Sequence, residues 1–252
     1  MGNTDAVQAL ETATQIIAGL EELDGEATIA DLTEHLPLAK STVYKHLNTL
    51  LEHDLIVKSG DCYRFGLQFL ELGGIARQYD RIYEVSEPEV RKMAAETGEV
   101  ANLAFEEGGW GRYVYTAAGE QAVDIDTHVG KRMTLHSTAL GKALLASLPD
   151  GEFNTLLAER ELRSQTEQTI TDPEELREEI ASIRREGIAY DTEEHLRGMG
   201  CVAAPIQIPG RRHASISITG PVSRVTPSNV ESEYTNIVKE AINIIELNIS
   251  TK

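Results

Sequence analysis

The chain has 252 residues, of which 41% are hydrophobic, enough for one or two packed domains. It carries 23 Lys and Arg against 41 Asp and Glu, a formal net charge of -18, so its overall charge cannot serve binding to a polyanion directly. It has no run of about 18 apolar residues and no basic stretch leading into an apolar one, so we expect a cytoplasmic protein with no membrane span, signal peptide or membrane partner.

Three helices are predicted at the N-terminus. Apolar residues at helical spacing outline the first, namely Val7, Leu10, Ile17 and Leu20. A capping box over residues 28–31 opens the second, and Pro37 stops it. The third begins within a few residues and ends near Asp54. This short turn between the second and third helices is the spacing that a helix-turn-helix needs.

The third predicted helix has one apolar face and one face of hydrogen-bond donors without a carboxylate. The donor face consists of Lys40, Ser41, Thr42, Tyr44, Lys45 and Asn48. The first 39 residues hold no Lys or Arg and eight acidic residues, so the first cations appear at this helix. The face suits the phosphates and base edges of DNA, although a solvated amphipathic helix explains the stretch equally well when it is taken alone.

A hairpin is predicted directly after the third helix. Residues 55–58 and 62–65 are strand-like, and Gly60 lies in the tight turn between them. Three helices and a hairpin make a winged helix-turn-helix that binds double-stranded operator DNA. We expect Tyr44 and Lys45 to enter the groove, and the following residues to contact phosphate: Lys40, Ser41, Thr42, Lys58 and Arg64.

Residues 67–83 predict a linker helix that contains the pair Gly73-Gly74. Each glycine costs about 1 kcal/mol inside a helix, so a bend or a close helix crossing is expected, although small residues that only permit close packing would also explain the pair. From Ser86 onward, the sequence predicts alternating helices and strands. The first expected helix is capped by Ser86, has Pro88 in its first turn and ends at Gly98. A second helix runs from Asp172-Pro173 to Gly187, and a tail helix begins at Pro227. The expected strands are 100–106, 112–118, 202–208 and 214–219.

Motifs in both halves resemble those of the IclR family of transcriptional regulators. In the N-terminal half they are residues 40–44 (KSTVY), 63–66 (YRFG) and 70–73 (LELG). In the C-terminal half they are residues 129–132 leading into 135–146 (LHSTALGKALLA), then 187–195, Gly198, Cys201 and 214–221. The motifs follow the order of the family and cover nearly the whole chain.

The resemblance implies an α+β protein with three parts. These are a winged helix-turn-helix DNA-binding domain over residues 1–66, a linker helix over 67–83 and a GAF-like effector-binding domain over 84–252. It also implies a regulator rather than an enzyme, without a cofactor, that forms a homodimer or homotetramer. Such a protein would repress or activate a catabolic operon, for sugar or sugar-acid use, under control of a small-molecule effector.

Carried over residue by residue, the resemblance implies that the effector contacts Ala139, Leu140, Asp191, Met199, Cys201, Ser217 and Thr219. Period-two alternation also puts Ser215, Ser217 and Thr219 on one face of a strand, and free amides of residues 139–141 at a helix start would suit a carboxylate or hydroxyl. An acidic Asp191 among hydroxyls favours a polyol, sugar or sugar acid. In the alternative interpretation the hydroxyls face water, Asp191 caps a turn and Cys201 is a core residue.

Three alternative hypotheses about function have weaker support in the sequence: an enzyme, a metal-binding protein and a scaffold. Two pairs, Ser137 with His136 and Cys201 with His195, suggest nucleophile and base, but Ser137 lacks the G-x-S-x-G context and no third orienting group can be placed. Asp191, Glu194, His195 and Cys201 match no strong zinc spacing, and Cys62 and Cys201 form neither CxxC nor an evident disulfide framework. A scaffold without DNA binding leaves residues 40–44 unexplained.

The acidic composition conflicts with DNA binding, which depends on phosphate contacts by Lys and Arg. A halophilic, archaeal host would resolve the conflict, because at 1 M salt charges are screened within roughly 3 Å. An acidic mesophilic protein with a small basic patch is the alternative.

Overall fold

The computed structural model describes residues 6–208, 210, 212–225 and 233–251. The chain divides into two compact units, Met1–Ala76 and Arg77–Lys252, and each has its own hydrophobic core. Within the described ranges, no helix has both the length and the hydropathy that crossing a membrane requires.

The first unit is a three-helix arrangement with a small antiparallel sheet. Its elements are α1 (Gln8–Glu22), β1 (Glu26–Thr28), α2 (Ile29–His35), α3 (Lys40–Glu52), β2 (Ile56–Ser59) and β3 (Cys62–Phe65). The strand order is β1-β3-β2. The predicted capping box is present, since Thr28 Oγ1 accepts from the Asp31 amide at 3.2 Å and Asp31 Oδ2 accepts from the Thr28 amide at 2.9 Å. The predicted winged helix-turn-helix is therefore confirmed.

Two details of this unit differ from expectation. Val7 and Leu10, two of the residues that outline the predicted first helix, are well exposed, and the buried stripe of α1 is formed around Ile16 and Leu20. Strand β1 was not predicted. It is only three residues long, too short to show a period, and it forms because β3 offers a free edge for pairing.

Helix α4 (Gln68–Gln78) follows, and residues 79 and 80 separate it from the next helix. It runs through Gly73 and Gly74 without interruption. A Cβ added at either glycine would meet no atom within 4 Å in the described part of the chain, so neither glycine is required for packing within it.

The second unit is built on an antiparallel sheet. Its elements are α5 (Arg81–Thr97), β4 (Val100–Glu107), β5 (Trp110–Ala118), β6 (Arg132–Met133), α6 (Ala139–Ser147), α7 (Asp150–Glu159), α8 (Pro173–Glu186), β7 (Ala189–Thr192), β8 (Met199–Ile206), β9 (Ala214–Pro221) and α9 (Thr235–Ser250). Among the described residues the strand order is β6-β5-β4-β9-β8-β7. Helices α5 and α9 pack on one face, with Ile216 and Ile218, and α6 and α8 pack on the other, with Cys201 and Ala203. The α+β prediction is confirmed.

Ser86 does not cap a helix, contrary to the prediction. Asp80 caps α5 by accepting from the Ile82 amide at 2.9 Å, and Ser86 is fully buried inside the helix. The earlier start buries Ile82 and Tyr83, and the free energy gained by this burial offsets the cost of Pro88 inside the helix. The predicted end at Gly98 is correct, and this residue has φ 73°.

Two further predicted boundaries in this unit concern β8 and the tail helix. Strand β8 begins at Met199 rather than Val202, because the backbone around Gly200 and Cys201 already pairs with β7 and β9. The predicted start of the tail helix, Pro227, lies outside the described residues, and α9 is described from Thr235 onward.

Candidate functional site

Helix α3 presents its donor face to solvent. Lys40, Ser41, Tyr44 and Lys45 are exposed and Thr42 is partly buried, whereas the core residues are Val43, Leu47 and Leu50. The first turn contains no acidic residue, and the N-cap residue, Ala39, has no side chain that could bond the free amides. A helix N-terminus of this kind favours an anion such as phosphate.

The hairpin carries the other two predicted phosphate contacts. Lys58 is exposed on β2, with its ammonium 5.3 Å from the centre of the Tyr63 ring. Arg64 is exposed on β3, and its Nε lies 3.7 Å from Glu26 Oε2. Glu26 belongs to the unpredicted strand β1, so the ion pair of Arg64 with this carboxylate could not be predicted.

A cavity of about 270 Å³ opens in the second unit beside the start of α6. Six of the seven predicted effector residues line it, namely Leu140, Asp191, Met199, Cys201, Ser217 and Thr219. Ala139, the seventh, is fully buried in the core as the first residue of α6 and is not part of the lining. The lining also includes residues that were not predicted: Tyr113, Ile125, Asp126, Thr127, Lys131, Thr138, Gln165, His195, Leu196 and Gly200.

The start of α6 is fixed by its own cap. Thr138 Oγ1 accepts from the Gly141 amide at 2.9 Å, so of the three amides expected to be free, that of Gly141 is already engaged. A Cβ at Gly141 would lie 2.6 Å from Leu135 O, so only glycine permits this approach of α6 to the preceding segment. The spacing of Thr138 and Gly141 in the sequence therefore serves helix placement.

The hydroxyls of β9 differ in what they bond. Ser215 Oγ donates to Leu140 O at 2.9 Å, which ties the strand to α6. Thr219 Oγ1 donates to Cys201 Sγ at 3.1 Å. Ser217 Oγ is fully buried and has no partner of normal hydrogen-bond geometry among the described residues, its polar neighbour being the Cys201 thiol. An unpartnered buried hydroxyl on a cavity wall indicates a place for a ligand atom or a water.

Burial keeps the thiol and the imidazole of the cavity wall uncharged. Burial raises the pKa of Asp191 to about 6 and that of Cys201 to about 12. It lowers the pKa of His195, and the neighbouring Lys131 ammonium lowers it further. The wall therefore presents a neutral thiol and a neutral imidazole near pH 7, with Asp191 able to carry charge.

Lys142, on α6, lies close enough to Asp191 of the cavity wall to influence its pKa, and it was not predicted as a functional residue. Its amine donates to Glu179 Oε1 at 2.9 Å and to Glu194 Oε1 at 2.7 Å, while its side chain is only 1% exposed. Burial alone would lower the pKa of this amine, but the two carboxylates raise it overall, so it stays charged. In the sequence, Lys142 was visible only as part of the 135–146 motif.

The groups that suggested catalysis or metal binding are placed differently. Ser137 Oγ lies 2.5 Å from Thr134 Oγ1 and 3.4 Å from His195 Nδ1, while His136 Nε2 lies 3.0 Å from Arg163 O. The alternative pairing of His136 with Ser137 as base and nucleophile is therefore not formed. Among the described residues, no three His, Cys, Asp or Glu side chains are grouped as a metal would require.

Comparison with known proteins identifies the family. Residues 9–60 match the IclR helix-turn-helix domain, and residues 77–246 match the C-terminal domain described as bacterial transcriptional regulator IclR. The chain belongs to the IclR family. It is a DNA-binding transcriptional regulator, and the IclR proteins that it matches are regulators rather than enzymes.

Individual IclR relatives span nearly the whole chain. The chain is 32% identical to the probable HTH-type transcriptional regulator ArcR of Halobacterium salinarum, over 99% of this chain and 97% of that protein. It is 28% identical to the transcriptional repressor IclR of Escherichia coli, over 94% of this chain and 89% of that protein. The crystal structure of the Thermotoga maritima IclR superposes with a TM-score of 0.77 at 29% identity and covers 95% of this chain and 97% of that one.

Proposed function

We propose that this IclR-family regulator controls a catabolic operon, for sugar or sugar-acid use, in response to a small metabolite bound in the second-unit cavity. The observation that carries the proposal is the cavity wall, where the hydroxyls of Ser217 and Thr219 lie with the buried carboxyl of Asp191. Such groups form hydrogen bonds with hydroxylated ligands and cost free energy when left unpaired. Leu140, Met199 and Cys201 complete the proposed effector contacts, and Ala139 acts only through the position of α6.

The proposed DNA-binding domain is the winged helix-turn-helix over residues 1–66. It is followed by a linker over 67–83 and the effector-binding domain over 84–252. Tyr44 and Lys45 contact base edges in the major groove of the operator. The phosphates are bound by Lys40, Ser41, Thr42, Lys58 and Arg64. This assignment uses the exposed face of α3 and the two hairpin cations as they lie in the structure.

The effector must bind two conformations of the assembly with unequal affinity, since otherwise it cannot change DNA binding. We propose that the assembly is a homodimer or homotetramer in the cytoplasm, where the operator is. Both repression and activation are compatible with this scheme, because the sign depends on which conformation binds DNA.

The host is proposed to be halophilic. The support is the net charge of -18 and the match to a Halobacterium salinarum protein. The protein should then fold and bind its operator in molar KCl. A protein that is stable and binds best in dilute buffer, with affinity falling steadily towards molar KCl, would instead be the acidic mesophilic alternative.

The sensor part of the proposal is tested with the Asp191→Ala variant. Operator binding by full-length protein is measured by fluorescence anisotropy with and without sugars, polyols and sugar acids. The variant should bind operator as the unmodified protein does but lose the response to the effector. Asp150→Ala, which removes an exposed aspartate that pairs with Arg184, is the matched control and should keep the response. An unchanged response in Asp191→Ala would remove Asp191 from the site.

A further inference from the structure

Lys131 is a cation on the cavity wall that belongs to the 129–132 motif but was not among the predicted site residues. It precedes β6, and its amine donates to the Asp126 backbone oxygen at 2.6 Å and forms an ion pair with the Asp126 carboxylate. Both residues line the cavity. The Asp126 side chain is 86% exposed, so this ion pair is open to solvent and contributes little to stability.

The ammonium is the permanent positive charge of the described lining. His195, the other basic group there, has its pKa lowered by burial and by Lys131 itself. Lys142 is charged, but it lies outside the lining and is already bonded to Glu179 and Glu194. An anionic group of a ligand therefore has Lys131 as its charged partner.

The rest of the wall disfavours an anion and suits hydroxyls. Asp191 carries negative charge above a pKa of about 6, and the Cys201 thiol beside it is neutral. Ser217 Oγ has no normal partner among the described residues, and Thr219 Oγ1 has only the weak thiol acceptor. A carboxylate is repelled from this wall by Asp191, whereas ligand hydroxyls can both donate to Asp191 and bond Ser217.

We propose that the effector is a hydroxy-carboxylate, whose carboxylate replaces that of Asp126 on Lys131 while its hydroxyls bond Ser217, Thr219 and Asp191. This inference rests on the proposed function, since it takes the cavity as the effector site. Asp126 occupies the position of the ligand carboxylate in the free protein. Lys131 is thus the residue that distinguishes an acid from the corresponding neutral polyol.

The test compares matched acids and alcohols on full-length protein by isothermal titration calorimetry. The probes are D-gluconate with D-glucitol, D-glycerate with glycerol, and L-lactate with propane-1,2-diol. We expect at least one acid to bind about tenfold more tightly than its alcohol, the size of one charge-assisted hydrogen bond. Lys131→Met should abolish that preference, and Asp126→Asn should strengthen acid binding, because it removes the competing carboxylate.

Lys92→Met is the matched control, because it removes another lysine that pairs with carboxylates but lies on α5, away from the cavity lining. It should leave the preference intact. Three results overturn the proposal: no acid that binds more tightly than its alcohol, a preference that survives Lys131→Met, or no binding by any acid. If the acids fail while operator occupancy in cells still responds to a carbon source, the hydroxy-acid assignment fails and the regulator function stands. If occupancy does not respond either, both fail.

Discussion

Lys142 donates a hydrogen bond to Glu194 Oε1 at 2.7 Å and so ties α6 to the segment between β7 and β8. The second bond of Lys142, to Glu179, adds α8 to the same cluster. The segment that carries Glu194 also contributes His195 and Leu196 to the cavity wall. One buried amine therefore holds together three segments, two of which contribute residues to the proposed effector site.

Removal of this amine should destabilise the second unit. Lys142→Met leaves Glu194 with its side chain only 13% exposed and no compensating charge, and we expect a loss of about 3 kcal/mol in the free energy of unfolding at pH 8. The loss should shrink at pH 5, where Glu194, whose pKa is raised by burial, becomes protonated. Urea denaturation followed by circular dichroism measures both values.

Glu179→Gln is the comparison for Lys142→Met. Glu179 is 32% exposed and is the less buried partner, so its loss should cost only about 1 kcal/mol. Equal costs for the two variants, or a cost of Lys142→Met that does not change with pH, would contradict the assigned role of Lys142.

Asp191 should make stability depend on pH. Burial raises its pKa to about 6 in the folded state, against about 4 in an unfolded chain, while Lys142 and the amides of Glu194 and His195 oppose the shift. Between these values the folded state binds more protons than the unfolded state, so this group's contribution to the free energy of unfolding falls as pH rises from about 4 to about 6 and is constant above.

The free energy of unfolding is measured for the unmodified protein and for Asp191→Asn at several pH values. The contributions of the other titrating groups cancel in the difference between the two. Asp191→Asn should gain stability relative to the unmodified protein across that window. A difference that is flat from pH 4 to pH 7, or that changes in the opposite direction, would show that Asp191 is not desolvated.

Lys45 is expected to contribute directly to operator binding. It is exposed on the donor face of α3, and Lys45→Ala should weaken binding by about tenfold. If it contacts phosphate as well as base edges, the slope of log affinity against log salt should also fall by about one. Fluorescence anisotropy at several KCl concentrations gives both quantities, and Lys92→Ala in the second unit should change neither.

Glu26 should weaken DNA binding by holding Arg64. Because Arg64 Nε lies 3.7 Å from Glu26 Oε2, Glu26→Gln frees the guanidinium for phosphate and should raise operator affinity about two- to fivefold. Glu11→Gln on α1 is the control for the same change of net charge. A decrease in affinity, or an equal gain in the control, would exclude competition between Glu26 and DNA for Arg64.

The local signals of the sequence predicted most of the elements. The capping box at Thr28 and the left-handed glycines Gly60, Gly98 and Gly187 mark element ends through backbone chemistry that tertiary packing does not override. The capping signal at Ser86 and Pro88 predicted the wrong helix start. The helix begins at Arg81 instead, because the burial of Ile82 outweighs the local preference for a start at Ser86.

The effector cavity could be predicted only in part. The alternation in β9 gave Ser217 and Thr219, and the family resemblance supplied Asp191 and Cys201. Lys131 lies in the loop before β6, which has no helical or strand periodicity. No local sequence pattern therefore shows that its side chain reaches the cavity wall, which is formed by strands distant in sequence. Its partner Asp126 is likewise visible only in three dimensions.

The central claim, that this protein binds an operator under control of a small metabolite, is tested most directly in cells of its host. Chromatin immunoprecipitation with sequencing of the tagged protein is performed at native salt after growth on several carbon sources. The account predicts a few sharp peaks upstream of a catabolic operon that change with one carbon source and are weaker in Lys45→Ala. Peaks that stay constant under every condition, or no enrichment at all, would contradict it.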